Sequence, residues 1–136
     1  MKPWKLAEKE VARYFGGVRR SRVSYGERIG DIIHPDYSIE VKWGKQIPMY
    51  CRTKEAVILE SDEGKYYLLE WSKQDKKRYN LAGVRCISLK STKFLDDCFA
   101  QAMRYNGHKE PIVCLKPKSS VGFVIAWELQ VSQASR

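Results

Sequence analysis

Gly30-Asp31-Ile32-Ile33-His34-Pro35-Asp36-Tyr37-Ser38-Ile39-Glu40-Val41-Lys42 decides how the rest of the chain is read. Ile29 to Ile33 has the composition of a short strand interrupted by Asp31, and His34-Pro35-Asp36 that of a tight turn. Tyr37 to Trp43 alternates apolar and polar residues and predicts a strand. On a strand successive side chains point to opposite faces, so Glu40 and Lys42 share one face while Val41 points into the core. If the two strands pair as a hairpin about His34-Pro35-Asp36, Asp31 comes beside Glu40 and Lys42. Two carboxylates and one ammonium then occupy one small patch.

Two carboxylates held a few ångströms apart repel each other. A divalent cation removes that cost, and Mg²⁺ favours one or two carboxylates with several waters and phosphate oxygens, an environment Mn²⁺ also accepts. A protonated lysine does not ligate metal. It can hold or help deprotonate an attacking water and stabilise charge developing on a phosphate. Acid, acid and lysine are thus a set suited to metal-assisted phosphodiester hydrolysis. Each member alone has a plainer reading: alternating charge is common on exposed strands, and an aspartate beside a turn is ordinary. Only the combination points to chemistry.

Outward from this stretch, the composition limits the partners. The chain has 136 residues, enough for one domain around one core, and a net charge of +9. Such an excess of cations in a short chain points to a polyanion, nucleic acid first and an anionic membrane surface second. The N-terminal residues carry no apolar leader, and no segment approaches the 18 apolar residues of a membrane span. The expectation is a soluble, cytoplasmic protein. The four cysteines, Cys51, Cys86, Cys98 and Cys114, form no CxxC pair, and His34 and His108 are the only histidines. That argues against structural zinc and for free thiols. His34 reads as a turn residue. Residues 44–93 hold 11 basic and 6 acidic side chains, the most positive third of the sequence. This segment is expected to grip nucleic acid, although Tyr66, Leu68 and Trp71 also suit a dimer face.

The remaining elements are two helices and several strands. Trp4 to Phe15 has Trp4, Ala7, Val11, Tyr14 and Phe15 on one helical face, with Pro3 at its start and Gly16-Gly17 at its end. Val18 to Val23 is an arginine-rich strand, and Ser24 to Arg28 a polar loop. Ala56–Glu60 and Lys65–Trp71 flank Ser61-Asp-Glu-Gly64 and predict a β-hairpin. A lysine-rich loop and a strand over Val84 to Leu89 follow. Thr92 to Asn106 predicts a second helix with Phe94, Leu95, Cys98, Phe99, Ala102 and Met103 in two adjacent rows, capped by Ser91 or Thr92. Pro111–Leu115 and Gly122–Trp127 are the last two strands.

Asp31, eight residues, then Glu40-Val41-Lys42 resembles the PD-(D/E)XK nuclease signature, in which an aspartate precedes an E-x-K strand. The helix Ala7-Glu8-Lys9-Glu10-Val11-Ala12-Arg13-Tyr14-Phe15-Gly16-Gly17 resembles the first helix of small archaeal-type and phage Holliday-junction resolvases of that superfamily. Gln101-Ala102, Gly107 and Pro111-Ile-Val-Cys-Leu115 are similar to that group's next helix and strand. The similarity covers residues 4–45 and 92–128. Two departures stand out: glycine rather than proline precedes Asp31, and residues 46–90 have no counterpart in minimal members. The resemblance implies an α/β domain with a restriction-endonuclease-like central mixed sheet flanked by helices, interrupted by a β-rich insertion at about 46–90.

It also implies function. Asp31, Glu40, Lys42 and Glu8 would be catalytic, with Glu8 the better match than Glu10. Mg²⁺ would be held by Asp31, Glu40, the Val41 carbonyl and Glu8. The activity would be a Mg²⁺-dependent endonuclease selective for branched DNA, acting as a homodimer in the cytoplasm, of cellular, phage or viral origin, with no small-molecule cofactor. Expected DNA contacts are Arg19, Arg20, Arg22, Ser24, Lys45 and Gln101; Arg20 and Arg22 share a strand face. The run Lys73-Gln-Asp-Lys-Lys-Arg78 is a further candidate for phosphate contact. Rival readings are a nicking, repair or restriction-type nuclease of the same fold, and a nucleic-acid-binding module without activity.

Overall fold

Every described strand joins one mixed sheet, with one helix packed on each face. The structure, a computed structural model, describes residues 2–19, 31–73, 83–104, 106–118 and 120–130. In chain order these form α1 (Pro3–Phe15), β1 (Val18–Arg19), β2 (Ile32–Ile33), β3 (Tyr37–Trp43), a 3₁₀ turn (Met49–Cys51), β4 (Val57–Ser61), β5 (Tyr66–Trp71), β6 (Arg85–Leu89), α2 (Lys93–Met103), β7 (Glu110–Lys116) and β8 (Val124–Leu129). The spatial order is β1-β2-β3-β7-β8-β5-β4-β6. β3 runs parallel to β7, and β4 parallel to β6; the other pairs are antiparallel. No helix among the described residues is long and apolar enough to cross a membrane.

The order explains the sequence of the central strand. β7 is covered on both faces, and Ile112, Val113, Cys114 and Leu115 are all fully buried. A strand buried on both sides reads as a continuous apolar run, as this one does. Ile112 and Cys114 face α1 together with Val11, Ile32, Ile39 and Ile125. Val113 and Leu115 face α2 with Leu95, Cys98 and Phe99. Each such aliphatic side chain contributes about 1.5–3 kcal/mol by leaving water.

α1 ends at Gly16, whose φ of +73° is the left-handed conformation that closes a helix. The next residue has a different constraint. A Cβ on Gly17 would come within 2.8 Å of both an Ile32 methyl and the Ile33 carbonyl oxygen. The absence of a side chain there lets the end of α1 lie against β2. The helix buries Ala7, Val11 and Ala12, whereas Trp4 and Tyr14, expected on its apolar face, remain 43% and 40% exposed. Both are amphipathic rings near the rim of the face, where one side stays wet. His34 also ties this end of the helix down. The Asp36 amide donates to its Nδ1 at 3.0 Å, so the neutral ring carries its proton on Nε2, which donates to the Phe15 carbonyl at 3.0 Å.

α2 stops at Met103, earlier than the expected Asn106, because the Arg104 amide turns back to the Gln101 carbonyl in a tighter, 3₁₀-type bond. Met103, expected in the core, is 42% exposed. At the other end the Ser91 hydroxyl accepts from the Lys93 amide at 3.1 Å, while Thr92 donates to Asp96 at 2.9 Å instead of capping. Asp96 also accepts from the Tyr67 hydroxyl and lies 3.4 Å from Lys65, which fastens α2 to β5. Burial first, and then the Asp96 hydrogen bond, hold the Tyr67 phenol far above its ordinary pKa. Tyr67→Phe leaves Asp96 short of one donor and is expected to cost about 1–3 kcal/mol, read as a lower urea midpoint at unchanged slope.

The hairpin expected over 56–71 forms as β4–β5. β5 pairs with β8 over six residues, so this hairpin extends the central sheet. Three of the four thiols, Cys51, Cys98 and Cys114, are buried, and Cys86 is exposed. Burial raises the thiol pKa of Cys51 from 9.0 to about 12 and that of Cys98 to about 11. Between these values and 9.0 the unfolded chain releases protons that the folded chain keeps. Stability is therefore expected to fall as pH rises above 9, on the order of 1 kcal/mol per thiol per pH unit, up to the folded-state pKa. Unfolding titrations at pH 8 and pH 10.5 measure the loss. A thiol reagent at pH 8 should find one accessible group, Cys86, in the folded protein and four after denaturation.

Candidate active site

β3 carries Ser38, Glu40 and Lys42 at alternate positions, and the face they share is the one against which α2 packs. The Ser38 hydroxyl donates to the Ala102 carbonyl at 2.6 Å, which pins the end of α2 over β3. One residue earlier on α2, Gln101 turns its side-chain oxygen to Lys42 and accepts from Nζ at 2.8 Å. Lys42 Nζ also lies 3.8 Å from Glu40 Oε1. Both side chains are largely covered, at 25% and 15% exposure, so their attraction is less screened than on an open surface.

Asp31 enters from the neighbouring strand. β2 pairs antiparallel with β3 through Ile32 and Ile39, which brings Asp31 alongside the Ile39–Val41 stretch of β3. The Asp31 amide donates to the Ile39 carbonyl at 3.0 Å. Its carboxylate Oδ2 accepts from the Val41 amide at 2.9 Å. The N–H and C=O of one strand residue point to the same edge, so the Val41 carbonyl faces the Asp31 side as well. The hairpin expected from the sequence forms: Asp31 meets the Val41 amide, and Lys42 lies near Glu40 on the same strand. Val41 packs against the α1-side core.

Glu8 lies on α1, not on the β2–β3 pair. Its carboxylate receives Arg19 Nε at 2.8 Å, and Arg19 sits in register with Ile32, the residue after Asp31. Glu10 instead pairs with Lys116 at 2.8 Å. Among the described residues no group of three or more His, Cys, Asp or Glu is placed to hold a metal ion. The donor set at the hairpin is two hard carboxylates and a backbone carbonyl. That suits Mg²⁺, which uses one or two carboxylates and keeps several waters.

The expected DNA contacts divide. Arg19 is engaged by Glu8 and lies 5.8 Å from the Trp4 ring. Lys45 is exposed on the turn after β3, which Arg52 braces by donating to the Lys45 and Ile47 carbonyls at 3.1 and 3.0 Å. Gln101 faces Lys42. Arg20, Arg22 and Ser24, like residues 76–78 of the lysine-rich run, lie outside the described residues.

Two contributors escaped the sequence reading. Ser38 was legible in principle, being two residues before Glu40 on the same face, but its role depends on α2, 64 residues on. Cys98 lies beneath the site: after burial, the groups that act most on its thiol are Lys42, which lowers its pKa, and Glu40, which raises it. No protein-family model, curated protein or solved structure matches the chain.

Proposed function

We propose that this chain is a Mg²⁺-dependent DNA endonuclease of the PD-(D/E)XK type, built on a restriction-endonuclease-like core and selective for branched DNA such as four-way junctions. The observation that carries this reading is the Asp31 carboxylate on the Val41 amide at 2.9 Å, between Glu40 and Lys42, with Lys42 3.8 Å from Glu40. A cation held by Asp31, Glu40 and the Val41 carbonyl would supply Lewis acidity toward phosphate and water, a role in which Mn²⁺ would also serve. The chain's own groups do the rest. Asp31 and Glu40 give the negative site that attracts the cation. Lys42, aimed by Gln101, supplies N–H donors and positive charge beside the attacked phosphorus, where charge builds up during hydrolysis. The excess of cations in residues 44–93 supports a polyanionic substrate, and a two-fold junction is matched by a homodimer with two such sites.

The test is cleavage of end-labelled duplex, single-stranded, flap and four-way-junction DNAs with Mg²⁺, and in EDTA. Cuts on the junction that need the metal are expected. A second reading draws on a specific observation: Asp31 already accepts from Val41, and no described three-acid set surrounds it. On that reading the chain is a nucleic-acid-binding module without activity. Retention of DNA in gels with no cleavage in Mg²⁺ or Mn²⁺ would establish it.

A further inference from the structure

On the opposite face of the sheet from the Asp31–Glu40–Lys42 patch, a cleft of about 420 Å³ opens between α1 and the β5–β8 end of the sheet. That size falls within the range of ordinary ligand clefts. Three cations line it: Lys9 and Arg13, one turn apart on α1, and Lys73, just past β5. Like charges at that helical spacing repel, a small standing cost. Among the described residues none of the three makes an ion pair. Glu10 also lines the cleft, but its carboxylate is held by Lys116. The Lys73 stem is fixed against Gly122, next to Ser72, whose hydroxyl accepts from the Phe123 amide at 2.9 Å.

The cleft is not only cationic. The partly exposed Tyr14 ring stands edge-on to Phe123 at 5.4 Å, and Leu6 is 54% exposed beside them. Free cations around an exposed aromatic face are the combination that proteins use for unpaired nucleotides, with phosphate on the cations and base on the ring. Duplex DNA keeps its bases stacked inside and has no use for the ring. The location fits a strand that continues from the candidate active site. Lys42 and Trp43 are in register with Leu115 and Lys116, and β8 begins at that same end of the sheet. The cleft is two to three strands from β3, about 10–15 Å across the sheet.

We propose that this cleft takes one nucleotide of an unpaired DNA strand, its phosphate against Lys9, Arg13 and Lys73 and its base on Tyr14. The proposal rests on the nuclease reading for the nature of the ligand, and it adds to that reading a preference for DNA with an unpaired arm. The test is fluorescence anisotropy of the full chain in Ca²⁺ with a flap DNA, an oligothymidylate and a blunt duplex of equal length, over a series of salt concentrations. Lys9→Ala/Arg13→Ala/Lys73→Ala is expected to lose tenfold or more on the flap and single strand and less than threefold on the duplex. Its slope of log affinity against log salt on the single strand should fall by about 0.7, as the loss of one neutralised phosphate implies. Tyr14→Leu should lose roughly fivefold or more on the single strand with an unchanged salt slope, and Tyr14→Phe should keep the affinity.

Equal losses on duplex and single strand, or no loss, would overturn the cleft assignment while leaving DNA binding intact. Absence of wild-type binding to every DNA would overturn the nuclease reading itself. Saturation by deoxyadenosine monophosphate at concentrations where the oligothymidylate does not bind would assign the cleft to a free nucleotide and overturn the strand form.

Discussion

Asp31→Asn is expected to lose about a thousandfold or more in single-turnover cleavage of a four-way junction, with binding in Ca²⁺ equal to wild type or tighter. Asparagine keeps an oxygen for the Val41 amide, so the hairpin survives, but it removes the charge that attracts the cation. The cation's contribution is several kcal/mol, and about 4 kcal/mol corresponds to a thousandfold. Binding holds or improves because a carboxylate that repels phosphate has gone. Glu40→Gln should behave alike and, in addition, leave Lys42 without its charged neighbour. Wild-type cleavage by Asp31→Asn, with an unchanged melting temperature, would remove Asp31 from the site.

Lys42→Met carries the second large effect, a loss of about 10²–10³ in the cleavage step with Ca²⁺-supported binding little changed. That is the size of loss seen when one donor to a developing negative charge is removed. Methionine keeps most of the apolar stem, so the fold is not the variable. Gln101→Leu should lose less, roughly tenfold, because it frees the ammonium without removing it. If Lys42→Met cleaves as wild type does, or if wild type cleaves in EDTA, the proposed chemistry is wrong.

The parts of this site that were legible in the sequence are the local ones. A hairpin of twelve residues from Asp31 to Lys42 is set by a turn and by alternation, both of which are written in consecutive residues. What was not legible depends on distant pairing. Gln101 meets Lys42 across 59 positions, and Ser38 meets Ala102 across 64. Nothing in either residue announces its partner until the parallel β3–β7 ladder sets the register. The same holds for residues 46–90. Their strands were legible as strands, but their place in the central sheet follows only from the β5–β8 pairing. Helix faces fell in between. The 100° repeat located Ala7 and Val11, yet assigned Trp4, Tyr14 and Met103 to the core, because periodicity gives a direction but not how far the neighbouring element extends.

The sheet order also bears on how the chain acquires its structure during synthesis. The two middle strands, β7 and β8, come last in sequence among the described elements. Until residues 110–129 leave the ribosome, β1–β3 and β4–β6 are two half-sheets with no ladder between them, and β3 and β5 each present a bare edge. Such edges are templates for pairing with other chains. The nascent segment thus carries those bare edges until β7 and β8 are made, when the β7–β8 hairpin inserts between the halves. That step also delivers Gln101 to Lys42, so the candidate site is completed at the moment the fold closes.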